Sequence, residues 1–347
     1  MKSMVIFLGA GASKPFGCPL TSEIFPLILR KIQLNELFDS SHEDRELLKS
    51  FLHKLLPGIF KVDHPPLITD ILSLIDHFIL HTNIPWPGLT HNDIILFRTL
   101  LERAIFEVIE SPYYRFDFER PPLLNTFAQY ILSQAHEKSI YLISTNYDIY
   151  LETELITLIR DNDSIDNKID YGFSWRSIKT GGIVYGPTNP QISIYKLHGS
   201  MNWLKCDLCD HIYINTFGSI YHQAFRKDLD DHNSCHCGYG PLRSVIIAPS
   251  TERDIKDVNI LNIWKNSIEA LRKSDEWIII GYSFPQEDLA IQSIFLRAYY
   301  GRIDKPNITV VQKGNDSKNR YLLFFQKFDY FDNGLEQYLL NVTSSFV

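Results

Sequence analysis

The chain has 347 residues, 45% hydrophobic and 22% charged, with a formal net charge of −7 and a pI near 5.9. That is enough chain to bury one large core or two smaller ones, at the composition of a soluble globular protein. The acidic balance supplies no field for gripping a phosphate backbone, and no stretch approaches the roughly 20 apolar residues of a membrane span, so neither nucleic acid nor a membrane is an expected partner. The N-terminal apolar run is too short for a signal peptide, which makes the cytoplasm the expected location.

Residues 4–8 (MVIFL) are a short apolar run ending at glycine and predict a buried strand of a parallel sheet. A tight turn, Gly9-Ala10-Gly11-Ala12-Ser13, follows, and Pro15, Gly17 and Pro19 keep the chain irregular. Thr21 or Ser22 is then the expected cap of a helix running toward Ile32. Between 35 and 138 the texture changes. Apolar residues recur at helical spacing, as in Leu48, Phe51, Leu52 and Leu55, then Ile68, Ile71, Leu72 and Ile75, then Leu96, Leu100 and Leu101. This predicts a helical insertion, with 85–89 and Pro121-Pro122 as connections inside it.

Strand-like runs resume at 139–144, followed by a helix from about Asp148 toward Ile159 and a polar loop over 161–168. Further strands are predicted at 192–197, 244–248, 276–280 and, last, 308–312, with helices over 261–273 and 289–299. Strands alternating with helices imply an α/β fold, a Rossmann-like doubly wound parallel sheet. Its core is expected from 1–34, 139–205 and 242–347, with the helical insertion over 35–138 and a small zinc-ribbon-like module over 206–241.

A Gly-x-Gly turn between strand and helix lets backbone approach a pyrophosphate, while the helix start favours an anion. It is also compatible with an ordinary strand-to-helix turn. The third glycine of a G-x-G-x-x-G pattern is missing, since that position is Lys14, and no acid-terminated strand follows about 20 residues on. An ordinary NAD-dependent dehydrogenase is therefore not indicated, and the absence of G-x-x-x-x-G-K-[ST] argues against a P-loop ATPase.

Five cysteines are unevenly spread. Cys18 stands alone and reads as a small buried residue rather than a nucleophile. Cys206-x-x-Cys209 and Cys235-x-Cys237 supply four thiolates, which satisfy tetrahedral zinc and close its shell, so the site reads as structural. Free thiols on an exposed ribbon are the alternative. His211, His222, His232 and His236 are nearby substitutes for one ligand, and the acidic run 228–231 reads as a solvated face.

Four ordered segments resemble the sirtuin superfamily: Gly9-Ala10-Gly11-Ala12-Ser13 with Gly17-Cys18-Pro19, then Thr145-Asn146-Tyr147-Asp148, then Leu197-His198-Gly199-Ser200, then Gly281-Tyr282-Ser283-Phe284-Pro285. The cysteine pairs sit between the third and fourth, where sirtuins carry their zinc module. Two departures stand out. No arginine follows the opening in Leu20-Thr21-Ser22-Glu23, and the phenylalanine–glycine–glutamate stretch of deacetylases is replaced by Ile247-Ala248-Pro249-Ser250-Thr251-Glu252. In this the chain looks like the divergent bacterial branch, many of whose members hydrolyse NAD in anti-phage defence.

The resemblance implies NAD as substrate and structural zinc. It implies His198 as general base and Asn146 as the residue that orients a water or ribose hydroxyl, by donating and accepting together. Their bland alternatives are a structural histidine and an Asx-type turn. Gly9, Ala10, Gly11, Ser13, Asp148, Gly281 and Ser283 become the expected cofactor contacts, with Asp148 equally suited to capping the next helix. Trp203 is a candidate for the nicotinamide pocket. The expected activity is a gated NAD glycohydrolase in anti-phage defence, acting as a homo-oligomer or as a subunit of a defence complex. An NAD-dependent protein deacylase and a non-catalytic NAD or ADP-ribose-binding module are the competing readings.

Overall fold

The computed structural model describes residues 2–38, 41–115, 121–161, 169–216, 218–225, 233–247, 257–286 and 288–343. The polar loop 161–168 beyond Asp161, the acidic run 228–231, His232 and the 248–252 stretch lie outside the described residues. The chain forms two compact units: 1–17 with 116–247 and 255–347, and 18–115 with 248–254.

In chain order, β1 (Lys2–Leu8) leads through α1 (Ala10–Ser13) and a 3₁₀ turn into α2 (Thr21–Gln33), α3 (His42–Leu55), α4 (Ile68–Leu80), α5 (His91–Arg115) and α6 (Pro122–Ala135). Next come β2 (Lys138–Ser144), α7 (Tyr150–Asp161), β3 (Ile169–Asp170), β4 (Trp175–Ser177), β5 (Ile183–Val184), β6 (Ile192–Lys196), β7 (Gly199–Lys205), β8 (Ile212–Ile214) and β9 (Arg243–Ile246). The chain ends with α8 (Val258–Lys273), β10 (Glu276–Ile280), α9 (Leu289–Tyr300), β11 (Asn307–Val311), α10 (Lys318–Phe324), β12 (Asp329–Phe331) and α11 (Gly334–Thr343).

The larger unit is α/β. Its main sheet has seven strands in the order β12-β11-β10-β1-β2-β6-β3, and every pairing in it is parallel. β1, β6 and β10 are buried almost end to end, as strands covered on both faces must be. α6 packs with α7 and α11, while α8 packs with α9. Right-handed crossovers put these two groups on opposite faces, because the chain leaves β1 in one direction and returns through β10 on the other side. The sheet is doubly wound, with its switch point between β1 and β10.

The smaller unit is helical. α5 packs against α2, α3 and α4, and buries Ile94, Leu101, Ala104 and Ile105. Its segment begins at 18 and stops at 115, whereas the texture of the sequence suggested 35–138. α2 packs with α4 and α5, and α6 packs with α7 and β2, which accounts for the difference at each end.

Several local expectations need correction. α2 begins at Thr21, but its cap is not a hydroxyl: Leu20 is extended, and the Glu23 carboxylate accepts its N–H at 2.7 Å. Pro121-Pro122 opens α6, with Pro122 in the first turn, where a missing N–H costs nothing. The 244–248 strand is not in the parallel sheet. It forms β9, antiparallel to β7 in a second sheet ordered β5-β4-β8-β7-β9. β7 itself, missed in the sequence, starts immediately after His198. Gly199 makes that switch of sheets with φ of +82°, and a Cβ there would lie 2.0 Å from the Val245 carbonyl oxygen. Nor is β11 the last strand, since the short β12 pairs beside it.

The C-terminal ends of the central strands align. Leu8 is in register with Ile280 and with Ser144, and Ser144 with Lys196. The residues just past that line are Gly9, Gly281, Thr145 and Leu197, one from each recognised segment. Gly9 donates to the Ile280 carbonyl and Gly11 to the Gly281 carbonyl, both at 2.9 Å. Gly281 has φ of +63°, and a Cβ on it would meet the Ala12 nitrogen at 2.1 Å. The glycines therefore let two backbones interlock at the switch point.

Gly281→Ala should be severely destabilising or prevent folding, because the methyl has no backbone-free space to enter. Gly314→Ala is the control: φ is +86° but nothing lies within 4 Å, so only the left-handed cost of about 1–2 kcal/mol is expected in denaturant melts. Equal losses for the two would refute the interlock.

Candidate functional site

Four segments meet at the edge of the parallel sheet, all within the larger unit. The loop 144–148 lies at their centre, held by the segment 196–201. Leu197 N–H donates to the Ser144 carbonyl at 2.9 Å and Met201 N–H to the Tyr147 carbonyl at 3.0 Å. His198 Nδ1 lies 3.0 Å from the Thr145 carbonyl oxygen. A carbonyl only accepts, so Nδ1 carries a proton, and the tautomer this contact selects is the one with its lone pair on Nε2. His198 is buried. This tautomer is the one a general base requires.

On the other side of the loop, Asn146 donates from Nδ2 to the Gly9 carbonyl at 2.9 Å and to Ser13 Oγ at 3.1 Å. Ser13 Oγ in turn donates to Asp148 Oδ2 at 2.7 Å. Both amide hydrogens of Asn146 are thus committed, and what the side chain offers a ligand is the acceptor Oδ1. The expectation that it both donates and accepts is not met. The Ser13 proton is committed likewise. Asp148 also takes the helix-start role, accepting from Tyr150 N–H at 3.4 Å. The loop's own turn is closed by Ser144 Oγ, which accepts from Asn146 N–H at 3.0 Å, not by an Asx arrangement.

Of the remaining expected contacts, Gly9, Ala10 and Gly11 form the turn against Gly281. Ser283 is exposed, and its carbonyl accepts from Arg320 Nε at 2.6 Å. Tyr282 and Phe284 on either side of it are buried and secure that loop. Trp203 does not line a pocket: it is fully buried, edge-on to Tyr171 and Phe173 at 6.1 and 5.2 Å. Cys18 is buried, as expected of a packing residue.

A charged pair beneath the loop was not among the expected site residues. Lys196 and Glu152 pair at 3.3 Å with side chains only 2% and 5% exposed. Lys196 Nζ donates to the Asp148 carbonyl and, at 3.4 Å, to the Tyr147 carbonyl. Glu152 Oε1 accepts from Asn202 Nδ2 at 2.6 Å. Burial pushes the Glu152 carboxyl above its ordinary range, opposed by the Lys196 charge and the Asn202 hydrogen bond. Ser13, Asn146, Asp148, Glu152 and Lys196 line one cavity of about 30 Å³, room for roughly two waters. The available signal was a lysine inside the apolar run ISIYKL and an acid four residues after Asp148.

The cysteine quartet assembles elsewhere. Cys206 follows β7, so the length of that strand separates it from His198 by roughly 20 Å. The ligand atoms of Cys206, Cys209, Cys235 and Cys237 all lie within 4.8 Å of one another. Cys206 and Cys237 sulfurs are 3.7 Å apart, and those of Cys209 and Cys235 3.4 Å. A tetrahedron with metal–sulfur bonds of about 2.3 Å has edges of about 3.8 Å, so the thiols fit zinc. All five cysteines are free of disulfides. His211 and His236 form an overlapping group with Cys209, and Leu204, Tyr213, Ile220 and Leu242 pack around the cluster as its own small core. Zinc bound here would have a closed shell and a structural role.

No protein-family model matches the chain, and no curated protein matches it. Among solved structures it is similar to a Sir2 bound to a propionylated peptide (12% identity, covering 99% of this chain and 92% of that one, TM-score 0.42). It is similar also to Sir2 with an inhibitor, 2′-O-acetyl-ADP-ribose and a deacetylated peptide (10%, 99% and 93%, TM-score 0.42). A third, described for the mechanism and regulation of Sir2 enzymes, gives 14%, 99% and 92%, with a TM-score of 0.43. At this degree of overlap the chemistry of the site rests on the chain's own residues. Among the described residues no helix is long and apolar enough to cross a membrane.

Stripping metal with a strong chelator should lower the melting temperature and release one zinc per chain, making Cys206, Cys209, Cys235 and Cys237 newly reactive toward a thiol reagent. Purified protein without stoichiometric metal and with an unchanged melt after chelation would refute the site.

Proposed function

We propose that the chain is an NAD glycohydrolase that cleaves the nicotinamide–ribose bond to give nicotinamide and ADP-ribose. The observation that carries this reading is a base and an acceptor held by the same loop, Asn146 within it and His198 bonded to it from the neighbouring segment. His198, with its proton held on Nδ1 by the Thr145 carbonyl, offers Nε2. Asn146, anchored by Gly9 and Ser13, offers Oδ1. Both lie at the C-terminal edge of a doubly wound sheet, the edge at which such folds take nucleotides, and Asn146 is bonded to Gly9 at the switch point. The sequence resemblance to NAD-cleaving sirtuin relatives points the same way.

The chemistry asks little of a general acid. The nicotinamide nitrogen carries a formal positive charge, and when the bond to the ribose carbon breaks it keeps the electron pair and leaves neutral. The sugar carbon becomes oxocarbenium-like and is attacked by water. Asn146 Oδ1 accepts a hydrogen bond from the water or a ribose hydroxyl and orients it. His198 Nε2 takes the proton the water loses as its oxygen bonds to carbon. The balance is NAD⁺ and water to nicotinamide, ADP-ribose and one proton. Gly9, Ala10, Gly11, Ser13, Asp148, Gly281 and Ser283 are the proposed lining for the rest of the dinucleotide, and Cys206, Cys209, Cys235 and Cys237 the proposed zinc ligands.

Unrestrained NAD destruction would damage the host cell. The activity is accordingly proposed to be gated, in bacterial anti-phage defence, with the helical segment 18–115 serving assembly or regulation, as a homo-oligomer or with a partner subunit.

Nicotinamide release from NAD by the full chain, alone and in extract from phage-infected cells, tests this reading. Release should fall on the order of 100-fold or more in His198→Ala and in Asn146→Ala, with both variants still folded. Bound NAD with no release in either setting would move the reading to a binding module. Turnover of an acetylated peptide that requires NAD would move it to a deacylase.

A further inference from the structure

Lys196 is buried two residues before His198, and its ammonium does not point at its own strand's neighbours alone. It reaches under the loop to the carbonyls of Tyr147 and Asp148, the two residues that follow Asn146. Its counter-ion, Glu152, stands in the first turn of α7. Asn202 of β7, four residues after His198, holds the far oxygen of that carboxylate and also donates to the Asn215 carbonyl at 2.9 Å. The pair thereby ties together β6, the Asn146 loop, α7 and β7.

A buried ion pair is a poor device for stability, since well-packed apolar side chains of similar volume commonly serve as well or better. What an apolar pair cannot do is donate hydrogens to two consecutive loop carbonyls. Backbone amides already serve the Ser144 carbonyl and contribute to Tyr147. The Asp148 carbonyl takes its hydrogen bond from Lys196. Asp148 also accepts the Ser13 proton, and Ser13 accepts from Asn146, so a shift at Asp148 passes directly to the Asn146 amide.

We propose that Lys196, charge-balanced by Glu152, is a positioning residue that holds the Asn146 loop in register with His198. This inference rests on the reading of Asn146 and His198 as the reacting pair. Lys196 itself acts through the loop and not on the sugar.

The test is the double variant Lys196→Met/Glu152→Gln in the full chain, which removes the donor without leaving a lone buried charge. Two readouts are taken. Amide hydrogen exchange of the peptide spanning 144–150 should quicken by about 10-fold or more, with the remaining strands of the main sheet unchanged. Nicotinamide release should lose about 10-fold to 100-fold in kcat with a smaller rise in KM, because Asn146 and Asp148 are displaced while Gly9, Gly11, Gly281 and Ser283 keep their places. Exchange at the loop within about 2-fold of the parent overturns the proposal, as does an unchanged kcat where the parent releases nicotinamide. A parent that releases none defeats the glycohydrolase reading alone, and the exchange measurement still decides the positioning role. If the double variant does not fold, Lys196→Gln/Glu152→Gln takes its place. Its amide keeps two donors but is neutral and sits on a stem one bond shorter than the lysine's, so it reaches the loop carbonyls less well; a smaller acceleration is expected, and none would overturn the proposal.

Discussion

The carbonyls of residues 144–148 are the constraint on which the site depends. Leu197 serves Ser144, His198 serves Thr145, Met201 serves Tyr147, and Lys196 serves Tyr147 and Asp148. A loop at the exposed end of a parallel strand normally finds water for such groups. Here the neighbouring segment supplies the donors, and that removes the loop's freedom. One of those donors is the imidazole itself, so the hydrogen bond that orders the loop also chooses the tautomer of His198. Structure and proton chemistry are settled by the same contact.

The switch point works by close approach. Gly9, Gly11 and Gly281 bring the ends of β1 and β10 together at distances that no side chain allows. The absence of a third glycine, which argued against a conventional dinucleotide turn, follows from this geometry. The turn after β1 goes into only four residues of helix, Ala10–Ser13, before a 3₁₀ turn. The glycines that remain are those the backbone interlock requires, and Ser13 at the end of that turn is brought within reach of Asn146 and Asp148.

The charged groups fall into two kinds of work. The cysteine cluster lies a full strand away from His198, with a small apolar core around it, and anchors the far end of β7 and β8. The Lys196–Glu152 pair lies directly beneath the Asn146 loop. Both are tied to β7, which starts at Gly199 beside the histidine and ends beside Cys206. That strand is buried along nearly all its length and so joins the cysteine cluster rigidly to the segment that carries His198.

Much of the larger unit was legible in the residues. Runs such as MVIFL, SIYLIS and EWIII are apolar throughout because both faces of a parallel strand are covered, and the strands lie where those runs do. The four cysteines announced their cluster by spacing, since chelation needs pairs. The helices of the smaller unit followed from 3.6-residue periodicity. What the residues did not disclose was partnership. The SVIIA run reads as a strand, but only folding decided that it pairs with β7 and not with the main sheet, because local pattern specifies extension and not the neighbour. β7, GSMNWLK, carries Asn202 in its interior and lacks the run that marks a covered strand, so it went unread until its pairing was seen. Lys196 stands near the end of an apolar run, where local pattern does not say whether its charge is solvated or buried. Only the tertiary arrangement, which brings Glu152 and two loop carbonyls around its ammonium, turned it into a buried group, because the cost of burying a charge is met by partners far away in sequence.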